Sequence, residues 1–391
     1  MILVCEMIFD RGAHVPFNAG LLAAIRAAFP TEDLAFHGAE AHIEQLKTHV
    51  GPTLANSIVW KAIRPVQPGP TYGKRFIAEL RIIQHLFREV SYSTTSRLIL
   101  TSAFPSTVLA MKVARWFRSK GPTVQMVLHG LSGVIGKRHR HPRLRLQDMK
   151  TALTLFGNHR MQYLVLEESI RETVVKSVPQ LRGTIEAFPH PVSPVEGAAD
   201  ILELSEPIRF GLLGTALKSK GYPLFVDAAN AITAQYGRRA EFHVIGRCPE
   251  ESKGVKGIEA LATRPAGSQL TREDFVRGVQ PLHFVVLPYE VAPYTLSASG
   301  VLLDAIAWQK PVVARRMPTF EAMFEKHGDI GYLFSDDAEL TGVIQQILQE
   351  ADVSRYRRQA RTLRDARKSR DPETLAAAYR ELCRANEGPS R

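Results

Sequence analysis

The chain has 391 residues, 45% apolar and 23% charged, which is room for two hydrophobic cores and an ordinary globular composition. No apolar run nears the ~20 residues of a membrane helix, the opening lacks a secretory signal's basic start and small-residue cleavage site, and three scattered cysteines exclude a disulfide scaffold or thiolate metal site. Net charge is +11, split as +9 over residues 1–200, −4 over 201–354 and +6 over 355–391, so a cytoplasmic protein with one face toward an anionic partner is expected.

Ile2–Phe9 reads as a first strand, and Phe17–Phe29 as a helix after a loop with Gly12, His14 and Asn18. Arg97–Thr101 is a short buried strand, followed by a helix over Ser106–Arg118 with Pro105 near its start. Val124–Leu128, Tyr163–Leu166 and Thr184–Phe188 continue as strands, the pattern of a doubly wound parallel sheet. Residues 194–206 have the Pro, Gly and acid content of a linker. The alternation then restarts: strand Ile208–Leu213, helix Pro223–Tyr236, strand Glu241–Ile245, helix Thr271–Val279, strand His283–Leu287, helix Val301–Trp308 and strand Val312–Ala314. Helices over Asp337–Ala351 and Val353–Lys368 follow. This predicts an α/β protein of two Rossmann-like domains facing each other across a cleft with a C-terminal helix. The boundaries are an acceptor domain 1–193, a linker 194–206, a nucleotide-sugar donor domain 207–368, and a C-terminal tail or helix 369–391, with ligands at the carboxyl ends of the strands.

Two loops in the second half carry chemistry. Gly214-Thr-Ala-Leu-Lys-Ser-Lys-Gly221 joins a strand to a helix, so Lys218 and Lys220 can reach an anion at the strand ends. Ser297, Ser299 and Gly300 precede the helix from Val301. Its free N–H groups and dipole favour a phosphate, and Asp304, one turn in, is placed for ribose hydroxyls. An ordinary capped helix and a solvated basic loop are the plain alternatives.

Those loops, with Val244-Ile245-Gly246, Leu287-Pro288-Tyr289, Leu302 to Ala307 and Lys310-Pro311-Val312-Val313-Ala314, resemble the donor-binding domain of GT-B glycosyltransferases, in particular the family 4 group that uses nucleotide sugars. Phe188 to Val192 resembles that family's crossover between domains. The resemblance implies that Lys220 contacts the donor diphosphate and Asp304 holds the ribose. It adds Gly214, Gly246 and Tyr289 to the donor site, and Gly12 as a loop glycine facing the phosphates. His129, at the end of a first-domain strand, is implied to face the donor sugar. The chain departs from the family at Thr215, where an Arg is usual, and at Leu296, where the first of two glutamates falls. Ser297, Ser299 or Glu290 is expected to take that glutamate's place.

Lys137-Arg-His-Arg-His-Pro-Arg-Leu-Arg145 is the densest charge run and is expected to face solvent or a polyanion. Lys137, Arg138, Arg140 and Arg143, with His14, form the expected acceptor side, gripping a lipid phosphate or an anionic saccharide. Contact with the inner face of an anionic membrane is expected. Nucleic acid is not, because no recognition motif accompanies the basic runs. Together these features imply a glycosyltransferase moving a sugar from a UDP- or GDP-linked donor to a lipid-linked or anionic glycan, in bacterial surface polysaccharide or glycoconjugate synthesis. His129, Lys220 and Asp304 would be its catalytic residues, with no cofactor and no metal. A catalytically lapsed GT-B protein that only binds a glycan or partner, and a nucleotide-sugar epimerase, are the two rival readings.

Overall fold

The computed structural model describes residues 1–10, 12, 14–66, 71–90, 96–116, 121–131, 135, 138–192 and 201–384. Two compact units divide the chain: Met1–Pro194 with Leu296–Ala298 and Arg370–Arg391, and Val195–Thr295 with Ser299–Ser369.

The first unit is built on seven parallel strands: β1 (Ile2–Cys5), β2 (Leu34–Gly38), β3 (Val59–Ala62), β4 (Arg97–Leu100), β5 (Thr123–Val127), β6 (Met161–Leu166) and β7 (Ile185–Phe188), in the order β3-β2-β1-β4-β5-β6-β7. Strands β1, β4 and β6 are buried along their whole length, as strands covered on both faces must be. Side-chain alternation divides β1 between two cores. Leu3 and Cys5 join a cluster with Leu98, Leu100 and Phe87, whereas Ile2 and Val4 join one with Ile99, Phe17 and Leu22. The first strand ends at Cys5 rather than Phe9, because the Glu6 carboxylate turns the chain by accepting the N–H groups of Ile8 (3.0 Å) and Phe9 (3.3 Å). The first helix starts at Val15 and stops at Ala28.

Of the expected C-terminal tail or helix, residues 370–384 complete the first unit. Helix Pro372–Arg384 buries Leu375, Tyr379 and Cys383 in the cluster that holds helix Val15–Ala28. The Tyr379 hydroxyl donates to Gln125, and Arg380 donates to the carbonyls of Ala27 and Ala28 that end the first helix. Arg370, fully buried, donates to Glu167 (2.6 Å) and to the His190 carbonyl (2.8 Å). Leu296 is also a core residue of this unit, packed with Leu131 and Ile135 in one cluster.

The second unit has six parallel strands: β8 (Ile208–Leu213), β9 (Ala240–Ile245), β10 (Leu261–Thr263), β11 (Phe284–Leu287), β12 (Val312–Arg315) and β13 (Gly331–Phe334), in the order β10-β9-β8-β11-β12-β13. Its core stacks Phe242, Phe210 and Phe284 across neighbouring strands, with centroids 5.5 and 5.4 Å apart. Helix Arg272–Val279 is capped by Thr271, whose side chain accepts from Asp274 N–H. In both sheets the strand order reverses direction between two adjacent strands, β1 and β4 in the first and β8 and β11 in the second. A doubly wound sheet places its ligands beyond the carboxyl ends of such strands. No helix among the described residues is long and apolar enough to cross a membrane.

Candidate functional site

The second unit's site grows from the loops after β8 and β11. Gly214 ends β8 in a left-handed conformation (φ 86°), and a β-carbon on the neighbouring Gly246 would lie 1.7 Å from the Gly214 carbonyl oxygen. Only glycine fits there. The chain then makes one short turn, Lys218–Lys220, and enters helix Tyr222–Tyr236 through Gly221. A β-carbon on Gly214 would sit 3.4 Å from Lys220 Nζ and 3.7 Å from Val301 Cγ2, so the ammonium lies beside the first turn of helix Gly300–Ala307. It also lies 5.9 Å from the centroid of the Tyr289 ring.

Ser299 is the N-cap of that helix, its hydroxyl accepting from Leu302 N–H at 3.2 Å, with the Tyr289 hydroxyl 3.5 Å away. The cap serves one orphan donor and leaves the first N–H groups, from Gly300 and Val301, for a ligand. Asp304 stands one turn further along, half-buried. Burial lifts its carboxyl to about 6, against the pull of Arg272 and Lys220. Burial pushes the Lys220 ammonium down while Asp304 pulls it up. Two opposite charges near a helix N-terminus are chemically suited to an anion beside a hydroxyl-bearing group.

The first unit's site occupies the carboxyl ends of β1 and β4. Register pairs Cys5 with Leu100, so the next residues, Glu6 and Thr101, meet. Glu6 accepts from Thr101 Oγ1 (2.9 Å) and Ser102 Oγ (2.7 Å), and Ser102 Oγ lies 3.0 Å from His14 Nδ1. The His14 ring is stacked on His129, centroids 4.1 Å apart and 32° inclined. Phe17 packs edge-on against both His129 (4.7 Å) and His190 (5.2 Å). His129 Nε2 donates to the Thr101 carbonyl at 2.9 Å. Burial drives His129 well below the usual histidine range, with His14 and His190 adding repulsion, and burial takes His190 to about 4.

Of the residues expected from sequence, Gly214, Lys220, Gly246, Tyr289, Ser299, Gly300 and Asp304 are gathered in the second unit as described. Thr215 is half-buried in the same loop, whereas Lys218 and Glu290 are exposed, Glu290 N–H donating to the Ser219 carbonyl at 2.9 Å. Ser297 belongs to the first unit, its Oγ 4.0 Å from where a β-carbon on Gly130 would lie. The expected cradle of Ser297, Ser299 and Gly300 is therefore divided, because Leu296 and Ala298 are drawn into the first unit's apolar core. Gly12 accepts Val15 N–H at 3.3 Å, and His14 and His129 are in contact. Arg138 and Arg140 are exposed, while Lys137 and the Arg143 side chain lie outside the described residues. Glu6, Thr101, Ser102, Phe17 and Arg272 were not expected. Glu6 reads only as an interruption of an apolar run, and its partners stand almost a hundred residues away.

Two wholly parallel sheets, each with polar residues beyond the strands where its order reverses, define the GT-B fold. The chain is similar to the structure described as trehalose-6-phosphate from E. coli bound with UDP-2-fluoro glucose, with a TM-score of 0.67, 10% identity and 100% of both chains covered. It is also similar to Anabaena Alr3699/HepE in complex with UDP (TM-score 0.64, 13% identity, 98% of this chain and 99% of that one). A third likeness is to WaaG, a glycosyltransferase involved in lipopolysaccharide biosynthesis (TM-score 0.64, 11% identity, 98% and 99%). Residues 207–350 match the family described as glycosyl transferases group 1. The chain has the GT-B fold, and its sequence diverges widely from the structures it resembles. No curated protein matches it.

Proposed function

We propose that the protein transfers a sugar from a nucleotide diphosphate sugar, UDP- or GDP-linked, to a lipid-linked or anionic saccharide acceptor. The observation that carries this reading is the Lys220 ammonium set beside the first turn of helix Gly300–Ala307, with Asp304 one turn further in. The donor's diphosphate would take the ammonium and the free N–H groups of Gly300 and Val301, and its ribose the Asp304 carboxylate. Glycosyl transfer builds negative charge on the departing diphosphate, so fixed positive charge at that point is where catalysis is concentrated. In this reading Lys220 and the helix dipole fill the role a divalent cation would otherwise have, and no cofactor takes part. Transfer should then persist in excess EDTA. The nucleotide ligands of the E. coli and Anabaena structures named above support the donor class.

On the acceptor side, the exposed Arg138 and Arg140 lie near Leu144 and Leu146 in sequence, two leucines left more than two-fifths exposed. Cations beside solvent-exposed leucines suit an anionic lipid surface, which supports a reaction at the cytoplasmic face of a membrane, in surface polysaccharide or glycoconjugate synthesis. Nucleic acid is not part of this reading.

Calorimetric and thermal-shift titration with UDP, GDP, CDP, dTDP and ADP, with and without their sugars, tests it. One nucleotide should stand out and raise the stability by ~2.7 kcal/mol at a hundredfold excess over its Kd. A second reading, a protein that binds without transferring, is favoured by Leu296, whose side chain is committed to a core where the family has a glutamate. Nucleotide binding with neither transfer nor donor hydrolysis would select it.

A further inference from the structure

Helix Val353–Lys368 of the second unit carries six arginines and one lysine against a single acid, Asp365. One face packs: Tyr356, Gln359, Leu363 and Ala366 are buried. At about 100° per residue, positions 357, 361, 364 and 368 fall within about 60° of one another on the far side. That sets Arg357, Arg361, Arg364 and Lys368 in line over about 16 Å, all four exposed.

Such a row works against the helix that bears it. Like charges three or four positions apart repel, as Arg357 and Arg361, Arg361 and Arg364, and Arg364 and Lys368 do. Arginines near the start also oppose the positive end of the helix dipole. The chain offsets these repulsions mainly at the two ends of the helix. Arg355 lies 3.3 Å from Asp329, Arg357 2.8 Å from Glu203 and Lys368 3.2 Å from Asp365. Arg367 donates to the Ala307 carbonyl at 3.2 Å, and Arg358 approaches Asp329 only to 3.9 Å. Asp365 stands four positions after Arg361 but is turned to Lys368. Arg361 and Arg364, in the middle of the row, have no ion-pair or hydrogen-bond partner among the described residues.

The rest of this unit is mildly acidic, −4 over residues 201–354, so the stripe is a local positive field complementary to an extended anion outside the chain. Its geometry selects the kind of anion. A straight row on one helix face meets a flat charged surface along its whole length, and the long arginine side chains let each guanidinium reach phosphate groups there. The row contains no aromatic side chain on which a nucleic-acid base could stack.

We propose that helix Val353–Lys368 docks the second unit on an anionic lipid surface through Arg357, Arg361, Arg364 and Lys368. The contact rests on charge, so it weakens as salt is added. It is independent of the glycosyl-transfer reading.

Co-sedimentation of the full chain with vesicles of phosphatidylcholine and phosphatidylglycerol tests it, with phosphatidylcholine alone as the neutral control. Arg361→Gln with Arg364→Gln should lower partitioning onto the anionic vesicles about 25-fold, about fivefold for each cation lost. Removing two exposed, mutually repelling charges should leave the melting temperature unchanged or higher, so the loss is not one of folding. Arg238→Gln with Lys256→Gln removes the same charge from exposed positions elsewhere in the second unit and should leave partitioning nearly unchanged. Both double variants keep Arg138 and Arg140. Equal loss in the two double variants would mean attraction by net charge alone and overturns the proposal, as does unaltered vesicle binding by the stripe variant. Loss of dextran sulfate binding with vesicle binding kept would also overturn it, and would assign the stripe to a soluble anionic glycan. Vesicle binding is read without turnover, so a protein that transfers no sugar leaves this test intact.

Discussion

Replacing Asp304 by Asn should stabilise the second unit while weakening the donor site. A carboxyl lifted from 3.8 to about 6 is worth about 3 kcal/mol, at about 1.4 kcal/mol per pH unit. The sign follows from which state ionises first. Below about pH 4 the group is protonated in folded and unfolded chains alike, and its contribution is fully present. As pH rises the unfolded chain loses the proton first, so stability drains away until the folded carboxyl ionises near pH 6. Asparagine keeps the shape and never ionises. The variant should therefore match the wild type near pH 4 and exceed it by about 3 kcal/mol at pH 7.5, which is about 6–12 °C in the unfolding transition of a unit this size. Scanning calorimetry of both proteins at the two pH values measures this. Donor affinity should fall about 10–100-fold at pH 7.5, since a charged acceptor has been replaced by a neutral one. An asparagine variant no more stable than wild type at pH 7.5 would refute the claim that burial dominates this carboxyl.

Lys220→Ala should lower nucleotide diphosphate affinity about 10–100-fold by calorimetry, the worth of a charge-assisted contact, with the fold intact; unchanged affinity would remove Lys220 from the diphosphate site. Arg138→Ala with Arg140→Ala should cut binding to anionic vesicles by roughly 1 kcal/mol per residue and spare donor affinity. Equal loss of both would make that loop a structural element instead. Arg370→Met takes the buried guanidinium from Glu167 and the His190 carbonyl, and should cost the first unit about 3–5 kcal/mol while the second unit's transition stays in place. Coincident shifts of both transitions in calorimetry would contradict that assignment.

The grouping of the second unit's candidate residues was legible because local sequence encodes it. Gly214, Lys220 and Gly221 lie within one strand-to-helix loop, and Ser299 to Asp304 within one helix start, where glycine, hydroxyl and charge have few other uses. Glu6 was not legible, because its meaning comes from β1 and β4 lying side by side, a pairing between residues about 95 positions apart. Residues 30–95 suggested no element. Strand β3 there is largely exposed and helix Glu40–Asn56 is interrupted at Gly51 (φ 74°), so neither shows clean periodicity. Leu296 was read as a lost sugar contact, whereas its position is explained by apolar packing in the first unit. The packing of the last helix was hidden for a similar reason: Leu375, Tyr379 and Leu382 make an amphipathic face, but nothing local says which sheet it covers.

That last helix bears on how the protein is made. A ribosome releases Met1–Pro194 long before residues 370–384, and at roughly 5–20 residues per second the gap is some ten to forty seconds. Throughout that interval helix Val15–Ala28 lacks its covering partner, and the apolar side chains that Leu375, Tyr379 and Cys383 will bury stay open to water. The first half to emerge is thus among the last parts to finish folding. Expression of residues 1–194 alone should yield aggregated protein, and supplying helix 372–384 through a short fused linker should restore solubility.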